Sequence, residues 1–87
     1  MNKSEKDILK LLIREKAVVR LLKTIGNEEY STRELLTLLG SYGYGHKLLL
    51  RAKKNGLVER KMLKNKMYNK LTKKGKDVIK LTKAIGI

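Results

Sequence analysis

The side chains of this 87-residue chain that can act chemically are mostly amines and guanidinium groups, and they are unevenly placed. Residues 1–40 carry 8 Lys and Arg against 6 Asp and Glu, a net +2, whereas residues 41–87 carry 14 against 2, a net +12. A uniform excess of lysine serves solubility, but a one-sided excess directs a surface at a polyanion. Duplex DNA offers about one negative charge per 1.7 Å of helix axis, and lysines that neutralise phosphates release condensed counterions. The expected chemistry is therefore non-covalent binding of nucleic acid. Other chemistries are poorly supplied. Cys is absent, which removes disulfides and thiolate metal sites, and His46 is the single histidine. The eight carboxylates fall mostly at helix caps or solvent-facing helical positions, with no nucleophile–base pair among them. Gly40, Gly43 and Gly45 match neither a phosphate-cradling loop nor a dinucleotide fingerprint. No enzyme, cofactor or metal is expected.

The elements that must position these cations are short. The length fits one domain over 1–87, near the lower limit for an independent core. With no Trp, Phe or Pro, that core is built from Leu, Ile, Val and Met, and a small aliphatic core favours a shared one. The longest strictly apolar stretches are three residues, against the ~18 that span a bilayer. Lys3, Glu5, Lys6 and Asp7 interrupt any apolar leader, so no membrane partner and a cytoplasmic, nucleoid-associated location are expected. The 17 Lys against 5 Arg resemble a hyperthermophile composition.

Periodicity predicts the order of elements. Ser4 and Asp7 resemble a helix start, and apolar residues then recur at helical spacing to Ile25, giving a long first helix over 4–25 closed by Gly26. Leu11, Leu12, Val18, Val19, Leu21, Leu22 and Ile25 share one face, and Leu9, Ile13 and Ala17 another. The turn at 27–30 has room for no more than an edge strand. Ser31-Thr32-Arg33-Glu34 matches the capping box, predicting a helix over 32–39 that buries Leu35, Leu36 and Leu39 and stops at Gly40. Ser41 can cap a third helix over 42–55, in which Gly43 and Gly45 weaken the first turn but admit a close neighbour. Leu57–Met62 and Met67–Leu71 have strand character, and Leu63-Lys64-Asn65-Lys66 fits a hairpin loop. Thr72 can cap a last helix over 73–85, with Val78, Leu81 and Ile85 on one side.

This order of helices and hairpin is similar to the winged helix-turn-helix domains of MarR-, ArsR- and PadR-like regulators. Asn55-Gly56-Leu57-Val58-Glu59-Arg60 resembles that family's stop to the third helix and start of the wing. Leu71-Thr72-Lys73-Lys74-Gly75 resembles the end of its wing, and Arg33–Leu36 with Leu38–Ser41 resembles its second helix and turn. The match spans roughly residues 14–85 and also looks like the minimal proteins of archaeal viruses and plasmids. Tyr42-Gly43-Tyr44-Gly45 departs from it, where Ser, Thr, Gln or Val is usual. The resemblance implies a mainly α fold with a small β-hairpin (α+β), dimeric, with wing over 57–71.

It also implies roles for individual residues. The third helix would lie in the major groove and read base edges from its N-terminal half. With Leu49 and Ala52 inward, Leu50 faces outward together with the candidate DNA-binding residues, which are Ser41, Tyr42, Gly43, Tyr44, His46, Lys47, Arg51 and Lys54. Lys47 and Arg51 can reach guanine or clamp phosphates. Tyr42 and Tyr44 can bond phosphate or touch a thymine methyl, or the Tyr44 ring can pack in the core or against the turn. His46 is either a groove contact or a solvated side chain. In the wing, Arg60, Lys61, Lys64, Asn65, Lys66 and Lys70 are placed along the minor groove or its flanking phosphates, though lysines there also deter strand aggregation. Lys73, Lys74 and Lys76 open the last helix, where cations oppose its dipole unless an anion lies near. Leu9, Ile13 and Ala17 are expected at a homodimer interface together with Leu81 and Ile85, unless the last helix of the same chain folds back over the first three.

The function expected is a sequence-specific, double-stranded-DNA-binding transcriptional regulator. A DNA-coating, chromatin-like or partition protein and a winged-helix module for RNA or protein stand as alternatives.

Overall fold

The computed structural model describes Lys6, Lys10 and residues 14–84. Lys16–Ile25 forms α1, Tyr30–Ser31 the two-residue β1, Thr32–Leu39 α2 and Tyr42–Lys54 α3. Val58–Leu63 and Lys66–Leu71 are β2 and β3, and Lys73–Ala84 is α4. The first helix is not continuous over the expected span. Glu15 leaves helical dihedrals (φ −121°, ψ 52°), and its carboxylate turns to Arg51 instead of capping α1. The proposed helix start at Ser4 and Asp7 lies outside the described residues.

The core forms where the helical stripes converge. Val18, Val19, Leu21, Leu22 and Ile25 of α1 are buried against Leu35 of α2, Leu48, Leu49 and Ala52 of α3, and Val78 of α4. Leu57, Val58 and Leu71 close it from the sheet. Ser31 and Glu34 make the reciprocal capping box of α2, the Glu34 amide donating to the Ser31 hydroxyl (3.2 Å) and the Ser31 amide to the Glu34 carboxylate (3.3 Å). The Ser31 hydroxyl, and next the Ser31 amide, favour the charged carboxylate and hold the Glu34 carboxyl below its ordinary pKa, partly opposed by desolvation and with a smaller contribution from the Lys66 charge.

The hairpin expectation is extended into a three-stranded antiparallel sheet of order β1-β3-β2. Tyr30 pairs with Asn69 and Ser31 with Tyr68, so even two residues suffice to add an edge. The loop is also shorter than expected. Leu63 pairs with Lys66, leaving only Lys64 (φ 48°) and Asn65 (φ 66°) to turn the chain. Two left-handed central residues are what a type I′ turn requires, so the hairpin forms without the usual Gly.

The stretches following α3 and β3 lock together. The Thr72 hydroxyl donates to the Gly56 carbonyl (2.6 Å) and accepts the Gly75 amide (3.1 Å), while the Thr72 amide donates to Leu57 O (3.0 Å). A Cβ on Gly75 would overlap the Leu57 carbonyl, so only glycine lets α4 begin here. The two sequence signatures, separated along the chain, are thus two halves of one contact.

Candidate nucleic-acid interface

The geometry of α3 divides its surface into four stripes. Gly45, Leu48, Leu49 and Ala52 are buried. At Gly45 a Cβ would crowd Leu36 Cδ2 at 3.0 Å and Leu39 Cδ1 at 3.3 Å, so glycine brings α2 and α3 close. Opposite them Gly43, Lys47, Leu50 and Lys54 follow i, i+4, i+7, i+11 spacing, and all four are exposed. Gly43 differs from Gly45 and from the expectation for both, since a Cβ there would meet nothing within 4 Å. The fold itself does not require it.

The two flanks are tied down differently. On one, Tyr42 Oη lies 3.1 Å from Thr37 Oγ1, joining α3 to α2, with the exposed His46 and Lys53 beside it. On the other, Arg51 Nη1 donates to Glu15 Oε2 at 2.9 Å. Both partners keep solvent contact (55% and 31% of the side chain exposed), a setting in which such pairs are worth about 1 kcal/mol or less. Tyr44 lies on this flank and is 60% exposed, so its ring is not in the core. Ser41 occupies the N-cap position with extended backbone, but its hydroxyl makes no capping bond; instead its carbonyl accepts the Gly45 amide at 3.1 Å.

In the wing, Lys61, Lys64, Asn65 and Lys66 are exposed around the turn, together with the apolar Met62 and Leu63. Lys70 pairs with Glu59 at 3.4 Å, both ends in solvent. Arg60 is different. It is half-buried, donating from Nε to Asn69 Oδ1 (2.8 Å) and from Nη2 to Thr32 Oγ1 (3.1 Å). Asn69 is fully buried and donates to Tyr30 O and Thr32 Oγ1, both at 3.1 Å. These bonds keep the Arg60 guanidinium at the base of the wing. No buried side-chain N or O among the described residues lacks a partner.

Of the lysines that open α4, Lys74 donates to the Asn55 carbonyl at 3.1 Å. That carbonyl belongs to the negative end of α3, so the ammonium opposing one helix dipole complements another. Lys73, Lys76, Lys80 and Lys83 line, with Lys23 of α1, a cleft of about 630 Å³. Ala17 and Leu81, expected at a dimer interface, are half-buried and pack on this chain's own core. Leu9, Ile13 and Ile85 lie outside the described residues.

Leu50, Lys53, Asn69 and the Glu15–Arg51 pair were not singled out as functional from sequence. Leu50 carried a usable signal, its place on the outward stripe. Asn69 and the Glu15–Arg51 pair join residues far apart along the chain and had none. Among the described residues there is no group of three or more His, Cys, Asp or Glu able to hold a metal ion, and no helix long and apolar enough to cross a membrane.

No protein-family model and no curated protein matches the chain by sequence. Solved structures do match its fold. The transcriptional regulator HlyU from Vibrio vulnificus is similar with a TM-score of 0.77 and 23% identity, covering 97% of this chain and 90% of its own. The transcriptional repressor BigR from Xylella fastidiosa gives 0.68 and 21%, covering 91% of this chain and 80% of its own. The homodimeric winged helix-turn-helix DNA-binding domain of a possible ArsR-family regulator from Mycobacterium bovis gives 0.66 and 17%, covering 99% and 84%. The fold of the chain is that of a winged helix.

Proposed function

We propose that this chain is a double-stranded-DNA-binding transcriptional regulator, acting as a homodimer on the DNA of the cytoplasmic nucleoid. In this reading α3 enters the major groove and the wing follows the flanking backbone. One observation carries it. The exposed surface of α3 presents Lys47, Lys53 and Lys54, the wing continues with Lys61, Lys64 and Lys66, and the one acid between Ser41 and Thr72, Glu59, is paired with Lys70. The other acids beside this surface are themselves engaged, Glu15 by Arg51 and Glu34 in its capping box, and the remaining excess of ammonium groups is suited to a phosphate chain. The likeness to HlyU, BigR and the homodimeric mycobacterial domain supports both the regulatory role and the dimer.

A second reading, a DNA-coating protein of low specificity, is favoured by the outward stripe itself. Gly43, Lys47, Leu50 and Lys54 include no planar guanidinium or amide to fork onto a base edge, and the Arg51 guanidinium is engaged by Glu15. The deciding experiment is titration of the purified protein with random duplex and with its own upstream DNA across a salt series. A steep salt slope with tighter binding to the upstream DNA supports the regulator. The same slope without preference supports coating. Stronger binding to duplex RNA, whose major groove is too narrow for a helix, would overturn both.

A further inference from the structure

We propose that Leu50 reads thymine 5-methyl groups in the major groove, so that the specific ligand of this chain is A·T-rich duplex. The proposal rests on the DNA-binding reading and deepens it. Leu50 is 44% exposed on the outward stripe of α3, with Lys47 and Lys54 about one turn to either side. An exposed leucine alone needs no explanation. Two neighbours make this one different. Gly43, at the head of the same stripe, serves no packing need, although glycine in a helix costs up to about 1 kcal/mol relative to alanine. Arg51, the one side chain of α3 built for bidentate contact with guanine, is drawn sideways onto Glu15. A surface lying close against the stripe, read without hydrogen bonds at its centre, accounts for all three.

The base edges then select the ligand. In the major groove guanine, cytosine and adenine present acceptors or donors, and only thymine adds an apolar group, its C5 methyl. Leu50 can neither donate nor accept. Seated on a guanine edge it would strand O6 and N7 away from water, a penalty that a methyl group does not impose. Lys47 and Lys54 can take phosphates on the two sides of the groove, holding the leucine over the bases between them.

The test selects binding sites from a short randomised duplex library with the full chain, then remakes the selected pool with thymidine or with deoxyuridine. Uracil pairs as thymine does but lacks the methyl. The expected result is thymine enrichment and about a fourfold loss of affinity for each contacted methyl removed, the size of burying one such group. The salt slope should stay the same, because no charge changes. Leu50→Ala, at an exposed position, should keep its melting temperature and bind both pools alike. Equal wild-type affinity for the two pools overturns the proposal, as does an undiminished thymine preference in Leu50→Ala. A pool that fails to enrich, yet binds with a steep salt slope, also overturns it while leaving DNA binding intact. Failure to bind any duplex would instead remove the reading on which it rests.

Discussion

At the base of the hairpin, Arg60 and Asn69 face each other across β2 and β3 and are bonded to Thr32 and to each other; at its tip, Lys64 and Asn65 turn the chain in solvent. Both ends are polar, and both carry a cation that the sequence alone assigns to DNA. At the base the cation is half-buried and its hydrogen bonds orient the wing against the start of α2. At the tip the cations have no such commitment. The comparison teaches that a basic residue's role depends on what its neighbours already accept from it, and Lys74 repeats the lesson on the Asn55 carbonyl.

Substitutions at the two ends should therefore separate stability from binding. The largest effect is expected where the base meets α4. Gly75→Ala forces a methyl onto the Leu57 carbonyl, and a loss of about 3 kcal/mol or more is expected in denaturant unfolding. A melt within a degree of wild type would show that α4 can shift freely, and that the base is not rigid. Next is Asn69→Leu, which leaves the Arg60 guanidinium and the Thr32 hydroxyl without their buried partner. A loss of about 1–3 kcal/mol is expected, the usual penalty for orphaned polar groups. At the tip the pattern reverses. Replacing Lys64 and Lys66 together by Ala should change stability by no more than about 0.5 kcal/mol, yet lower the salt slope of DNA binding by up to about 2. An unchanged slope would take the tip out of contact with DNA.

The smallest effect belongs to Glu34, whose carboxyl is held below its ordinary range chiefly by the Ser31 hydroxyl and amide. A depressed folded-state pKa gives stability that is complete above the ordinary glutamate value and is lost as pH falls through the folded one. The stability gap between wild type and Glu34→Gln should accordingly be constant near neutrality and close in the acid range. A gap that widens on acidification would mean the capping box does not prefer the charged carboxylate.

Much of the fold was legible because its signals are local. Ser31 and Glu34 announce a capping box three residues apart, and the stripe from Val18 to Ile25 repeats with the helix. The wing could be read from strand-like runs, but its turn was drawn too long, because Lys64 and Asn65 adopt left-handed dihedrals without glycine. The candidate interface was legible as a charge excess and only partly as residues. Lys47, Lys54 and the tip lysines are exposed as expected; Arg60 is turned inward by a buried asparagine that no pattern marked.

By itself the sequence determined the helical faces, the caps and the placement of positive charge, since each depends on residues within a turn or two of one another. Tertiary structure decided which of these side chains have partners within the chain. Arg51 meets Glu15 across 36 positions, and Asn69 gathers Thr32 and Tyr30 across 37 and 39. Such partners come within hydrogen-bonding reach only after the aliphatic core has closed, because a buried polar group must find its bond wherever the fold provides one.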